Sequence, residues 1–430
     1  MRLTLAVTRM SVYRRVETVG SAMRFVSFIG GNFRWLFGGF LLTFCSAFGQ
    51  TFFIALSAGD IRTEYNLSHG EFGNLYMIAT LASALTLPWA GKIVDRIGPA
   101  PVALIIMPAL ALACLGMALS THIITLLLAI YMLRLFGQGM MTQNALTATG
   151  RWFVANRGRA VSVVALGHNA SEALLPIVFV LLLAMIGWRD VWLVSAVFLV
   201  LVALPIIFVL LRKERTPQSA DLEKSAGGDR NWTRGEVLSD HLFWVLLAGV
   251  LAPPTIGTVI LFHQVYLVEL RGWSLEVFVA SFSVMAMCTI VFALVSGWLI
   301  DRFSAVRMLP FFLVPLAFAC FILANVSASW APFAFMSIMG ISYGFSSTLF
   351  GALWPEIYGT KHLGAVRSIV LSAMVFATAA GPGATGMLID WGVSYPAQIG
   401  AMGIYCLAVC LVMVWIVTQL RARVDADLAI

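Results

Sequence analysis

Twelve apolar runs of about 20 residues each constrain this chain more than any other feature of its sequence. They fall at about 35–57, 71–91, 101–120, 123–147, 160–186, 190–211, 241–268, 275–299, 308–326, 331–356, 366–389 and 396–419. Each is long enough to cross a ~30 Å hydrocarbon layer as an α-helix. No water satisfies backbone groups inside that layer, so only helices and closed barrels span it. The runs lack the in/out alternation of barrel strands. The expected class is therefore an all-α membrane protein. Composition excludes a soluble one: 11% of residues are charged and 60% hydrophobic, whereas soluble domains carry roughly 25% charged residues.

A repeat divides the chain. Gly91-Lys92-Ile93-Val94-Asp95-Arg96-Ile97-Gly98, between the second and third runs, returns as Gly297-Trp298-Leu299-Ile300-Asp301-Arg302-Phe303-Ser304 between the eighth and ninth. Gly158 and Gly364 keep the same register (301 − 95 and 364 − 158, 206 residues each). Two motifs at one offset predict two copies of a six-helix unit. The domain layout is then a tail over 1–34, a bundle over 35–211, a linker over 212–240, a second bundle over 241–419 and a tail over 420–430. The linker is the long polar stretch, with six basic residues and Ser225-Ala226-Gly227-Gly228. Met23 offers an internal start, so residues 1–22 are expected to be dispensable.

Basic residues set the orientation. With the N-terminus in the cytoplasm, the outer loops hold Arg62, Arg189 and Arg271, and Arg134 lies inside a run. That leaves 27 − 4 = 23 Lys and Arg on the inner side. The expectation is a multi-pass protein of the inner or plasma membrane with both termini cytoplasmic. The net charge of +7 sits between runs, not in one patch, so it does not point to nucleic acid. The six cysteines lie inside apolar runs and are expected to be packing residues. Ser68 and Glu71 fit a capping box at the start of the second run. The aromatics near run ends, including Phe52, Phe53, Trp89, Trp188, Trp192, Trp298, Trp354 and Trp391, read as an interfacial belt.

The repeated loop has a physical role to fill. A glycine lets helices approach closely. Asp95 can face the partly positive N-terminus of a neighbouring helix, and Arg96 can pair with it or with lipid phosphate. Gly91, Asp95, Arg96 and Gly98, with Gly297, Asp301 and Arg302, are thus a candidate cytoplasmic latch. On Gly-x-x-x-Asp-Arg-x-Gly, its echo, twelve runs and a basic linker, the chain resembles the major facilitator superfamily. Gly150-Arg151-Trp152-Phe153, Arg157-Gly158-Arg159-Ala160 and Trp354-Pro355-Glu356-Ile357-Tyr358-Gly359-Thr360 are similar to bacterial facilitators related to monocarboxylate and oxalate/formate carriers. That resemblance implies a carrier of small organic solutes, often carboxylates. Those carriers place basic residues in the eighth and eleventh spans; here the eighth lacks Lys and Arg, and the eleventh has only Arg367, at its start.

Charges inside the runs mark the candidate site. Arg134 is about eleven residues into the fourth run, about 16 Å deep. Glu172 is about as far into the antiparallel fifth run. The expectation is that the two are close at the midplane and face a central cavity. Glu172 is then a proton carrier, with Arg134 tuning it or binding an anion; the alternative is a permanent ion pair tying the two helices together. Arg134-Leu135-Phe136-Gly137-Gln138-Gly139 resembles the superfamily's fourth-span Arg-x-x-x-Gly-x-Gly motif, with both glycines one residue early. Helical spacing adds Gln138 beside Arg134, and His168 and Asn169 beside Glu172. Gln50, His263, Gln264 and Tyr343 complete the candidate cavity contacts.

The expected function is secondary active transport of a small organic solute, a carboxylate among the candidates, by alternating access and coupled to protons. The alternatives are a nutrient sensor on a carrier fold and a uniporter or exchanger without proton coupling. No metalloprotease, nucleophile-elbow or phosphate-loop motif is present, so an enzyme is not expected. No cofactor or metal is expected beyond the proton gradient. The expected partners are the bilayer and a small solute, with no nucleic acid, for a functional monomer.

Overall fold

A computed structural model describes residues 27–153, 157–213, 232–359 and 362–428. Among them there is helix and no strand. Ten helices are single spans by length and composition, from His69–Val94 to Tyr395–Leu420. The first span is a bent pair, Ser27–Gly49 and Thr51–Tyr65, at 46°. It begins earlier in the chain than the hydropathy pattern indicates. The ninth is a short helix, Val314–Asn325, reached from Ala305–Met308 through a turn. These twelve segments follow the expected order, six before and six after the polar segment 214–231, which lies outside the described residues along with the glycine-rich part of the linker.

Local signals account for many ends. Ser68 accepts from the Glu71 N–H while Glu71 accepts from the Ser68 N–H, so the second span opens on the capping box read from sequence. The third opens on Gly98 followed by Pro99, whose missing N–H is harmless in a first turn. The hairpins between spans five and six and between eleven and twelve turn at Gly187 (φ 81°) and Gly392 (φ 85°), which suits residues without a Cβ. The matching place of these two turns extends the internal repeat.

Within each half, helices meet where side chains are missing. A Cβ on Gly137 of the fourth span would lie 2.7 Å from Gly49 Cα of the first. A Cβ on Gly340 of the tenth would lie 2.9 Å from Cys288 Cβ of the eighth. Such close approach substitutes for the hydrophobic drive that lipid removes. Trp192, Trp354, Phe52 and Phe53 are buried in this packing and do not form a belt. Trp192 donates to Ser57 Oγ at 2.9 Å and meets Phe53 edge-on. Trp89, Trp298 and Trp391 are exposed, as an interfacial position requires. The cysteines are free; five are buried and Cys288 is half-buried.

Among the described residues the two halves touch along several pairs of spans. Gly73 of the second packs on Pro382 and Gly383 of the eleventh. Gln264 Nε2, just past the seventh, donates to Phe52 O of the first at 2.8 Å. Ser283 Oγ of the eighth donates to Ala173 O of the fifth at 3.0 Å. These contacts lie from the middle of the spans to the end remote from loops 91–98 and 297–304.

At the loop end, Asp240 gathers the second half. Its carboxylate accepts from Arg423 at 2.7 and 2.9 Å, from Tyr358 at 3.0 Å and from the Leu242 N–H at 3.1 Å. Burial acts to raise this carboxyl, and the donors, Arg423 foremost, outweigh it and hold Asp240 below the ordinary aspartate value. The cluster joins the linker helix Arg234–Ser239, the seventh and tenth spans and the C-terminal helix.

Candidate functional site

The break in the first span is built by three elements. Gln50 is extended (φ −84°, ψ 152°), so the helix stops at Gly49 and restarts at Thr51. The Gly49 carbonyl, freed from helical bonding, accepts from Arg134 Nη1 at 3.1 Å. Thr51 Oγ1 lies 3.4 Å from the same nitrogen and 2.6 Å from Tyr76 Oη. The Arg134 guanidinium sits over the Tyr76 ring, 5.3 Å from its centroid. Glycines 49 and 137 allow the fourth span close enough for this, because a side chain on either would strike the other's backbone.

Arg134 lies in a nine-residue π-helix, Leu133–Met141. Wide i→i+5 turns recur at functional sites. They also rotate the residues beyond them away from their α-helical positions. Arg134 is 4% exposed, and its Nε has no described partner. Gln138 and Gly139 follow on the same wide turn, half-buried.

This corrects the expected pairing. Among the described residues no ion pair or hydrogen bond joins Arg134 to Glu172. The expectation rested on depth along the two helices, which does not fix the direction of a side chain about its helix axis. Arg134 turns to the first and second spans. Glu172 is half-buried on the fifth span, and Tyr343 of the tenth is half-buried as well. Tyr343 places its hydroxyl against Gly257, in the proline-containing seventh span. His168 and Asn169 are half-buried on the fifth span. The His168 ring is 6.3 Å from that of Phe52, which also lies 6.2 Å from Phe282 of the other half.

His263 and Gln264 serve the seam between the halves. His263 Nε2 lies 3.1 Å from Pro382 O, and Gln264 reaches Phe52 O. The His69 ring lies tilted against that of Tyr266, with centroids 4.1 Å apart. Asp390 of the eleventh span accepts from the His69 and Gly70 N–H groups at 3.1 and 2.8 Å, at the N-terminus of the second. Sequence reasoning missed Gly49, Thr51, Tyr76, His69 and Asp390. The Gly49–Gly137 approach had a signal in the glycines themselves; Tyr76 and Asp390 had none.

Loops 91–98 and 297–304 are each held by a span of their own half, through hydrogen bonds of opposite polarity. Arg151 Nη1 donates to Val94 O at 3.0 Å and Asn144 Nδ2 to Pro99 O at 3.1 Å, so the fourth span grips the first loop. Gly91 leaves room for Gln143. At the second loop, Glu356 of the tenth span accepts from the Ala305 and Val306 N–H groups at 2.9 and 3.5 Å. The helix N-terminus there meets Glu356, while Asp301 and Arg302 are exposed. The side chains of Asp95 and Arg96 lie outside the described residues. Gly98 has φ −65°, and its counterpart Ser304 has φ 76°.

Among the described residues no group of three or more metal-binding side chains is assembled. A comparison with curated proteins finds no match. Two solved structures of a bacterial homolog to the human lysosomal transporter Spinster are similar in fold. The inward-facing unoccupied one has a TM-score of 0.63, and the inward-facing occupied one 0.65; each is 18% identical over 90% of this chain and 94% of that one. A variant of the nucleoside transporter NupG has a TM-score of 0.66 at 10% identity, over 90% of this chain and 99% of that one. The Major Facilitator Superfamily family matches residues 39–323 and 277–427, across both halves. This membrane protein, with two six-helix halves meeting beside a broken first span, belongs to the major facilitator superfamily.

Proposed function

We propose that this transporter moves a small organic solute across the membrane by alternating access, driven by a proton gradient, with Glu172 as the proton carrier. The observation that carries the coupling is Glu172 itself: a carboxyl in the membrane interior, on the helix that meets the other half, with no described ion-pair partner. A charged carboxylate at such depth is unfavourable by at least ~2.5 kcal/mol on insertion scales, so its charge state and its access to water are linked. Arg134 has a different part. Bound to the Gly49 carbonyl, it stabilises the break that exposes backbone near the midplane, where carriers of this architecture bind. The motifs similar to carboxylate carriers favour an organic acid. With no Lys or Arg in the middle of the eighth and eleventh spans, Arg367 lying at the loop-side start of the eleventh, a carboxylate would be met by Tyr343 and Asn169.

The conformation fits this reading. If the loops face the cytoplasm, as the basic residues indicate, the halves are joined on the outer side and part on the inner side. Opening the outer side would separate Asp390 from His69, and Gln264 from Phe52. Purified protein in liposomes, given an imposed pH gradient and a panel of small acids, amino acids and neutral solutes, tests the proposal. Accumulation of a panel member that collapses with a protonophore is expected. Transport that ignores the gradient would remove proton coupling from the account.

A further inference from the structure

The fifth and eighth spans meet at the Ser283–Ala173 hydrogen bond and part beyond it, toward the loop side. Between them and the first span lies an open groove of about 380 Å³. Its walls include Phe40, Leu166, Ala170, Met287 and Ile290, with Asn169 supplying a polar side chain. The volume is within the usual ~300–1,000 Å³ of small-molecule sites.

An aromatic ladder leads into it. Phe33, Phe37, Phe40 and Phe44 follow one face of the first span. Their successive ring centroids are 5.1, 5.8 and 6.4 Å apart and their planes lie within 20° of parallel. The outermost ring, Phe33, is 54% exposed. At the inner end, Asn169 lines the groove one helical turn before Glu172.

Apolar groove and polar end are thus continuous on one helix face. A solute polar all round would leave its hydroxyls unpaired against Leu166, Ala170, Met287 and Ile290. A solute apolar all round would leave Asn169 and Glu172 unpaired. We propose that the transported solute is amphipathic, with a ring-bearing or branched apolar body seated against Phe40, Ala170 and Met287 and a polar end at Glu172 and Tyr343. This rests on the transport reading above and adds the class of substrate.

Matched pairs of equal charge test it in proteoliposomes under an imposed pH gradient: L-lactate with L-phenyllactate, L-alanine with L-phenylalanine, and choline with benzyltrimethylammonium. Uptake of the phenyl member is expected to be at least tenfold faster in one or more pairs. Ala170→Leu, which adds bulk to the groove from the fifth span, is expected to lower the ratio of phenyl-member to short-member uptake at least fivefold. Met287→Trp fills the groove from the other half and is expected to act alike. Preference for the short member in every transported pair overturns the amphipathic class and leaves transport standing, as does an equal loss of both members in the two variants. Uptake of none of the six by folded protein overturns the transport reading, and the substrate class falls with it.

Discussion

Arg134 and Asp240 are both buried charges, and they are accommodated differently. Arg134 meets carbonyl, hydroxyl and ring; Asp240 meets a guanidinium in two-oxygen contact. Asp240→Asn leaves Arg423 without its carboxylate and is expected to destabilise the protein on the order of 3 kcal/mol, read as a lowered Tm in detergent. Its pH dependence has a definite sign. Because the folded carboxyl is held below the ordinary value of 3.8, its contribution is fully present above that pH and is lost as pH falls through the lower folded value. The Tm gap between wild type and Asp240→Asn should stay constant from pH 7 to about 5 and shrink only in stronger acid. A gap that closes between pH 7 and 6 would show that another group is responsible. Ser304 offers a change of opposite sign. At φ 76° and ψ 153° it occupies a backbone region open essentially to glycine. Ser304→Gly is expected to stabilise by about 1 kcal/mol, and no gain in Tm would mean the strain is not there.

At the scale of elements, the seam between the second and eleventh spans is closed by missing side chains. A Cβ on Gly73 would lie 2.7 Å from Pro382 O and 2.9 Å from Gly383 Cα. Gly73→Leu should therefore wedge this seam apart while leaving each half intact. A wedge of about 2 kcal/mol shifts the conformers roughly thirtyfold toward the state open on the far side. Spin labels placed on the far ends of the second and eleventh spans would report the longer distance; an unchanged distribution would mean the seam yields elsewhere. The elements were largely legible in sequence because hydropathy over some 20 residues registers a span whatever its neighbours. The break at Gln50 was not. It lacks a proline, and it holds because Arg134, 84 positions away, satisfies the carbonyl it frees. The Arg134–Glu172 pairing failed because it rested on depth along two antiparallel helices, which does not fix where a side chain points about its axis; Arg134 turns to the first and second spans.

Across the whole molecule, charge outside the spans and charge within them have separate tasks. The outer set orients the protein: with 23 basic residues placed on one side, both termini are expected in the cytoplasm. A C-terminal green fluorescent protein fusion should fluoresce and a C-terminal alkaline phosphatase fusion should stay inactive; the reverse pattern would invert the membrane assignment. The repeat that first divided the chain reappears as two loops gripped by the ends of the fourth and tenth spans. Their place in each half was readable from residue spacing. That Glu356 fills the acidic role at the second loop was not, because it comes from a helix distant in sequence. Of the inner charges, Glu172 is the one on which the proposed coupling depends. The most direct test is Glu172→Gln in proteoliposomes, with solute exchange and gradient-driven accumulation measured on the same preparation. The account predicts that exchange between equal pH compartments continues while accumulation against a concentration difference falls at least tenfold. Undiminished gradient-driven accumulation by Glu172→Gln would contradict it.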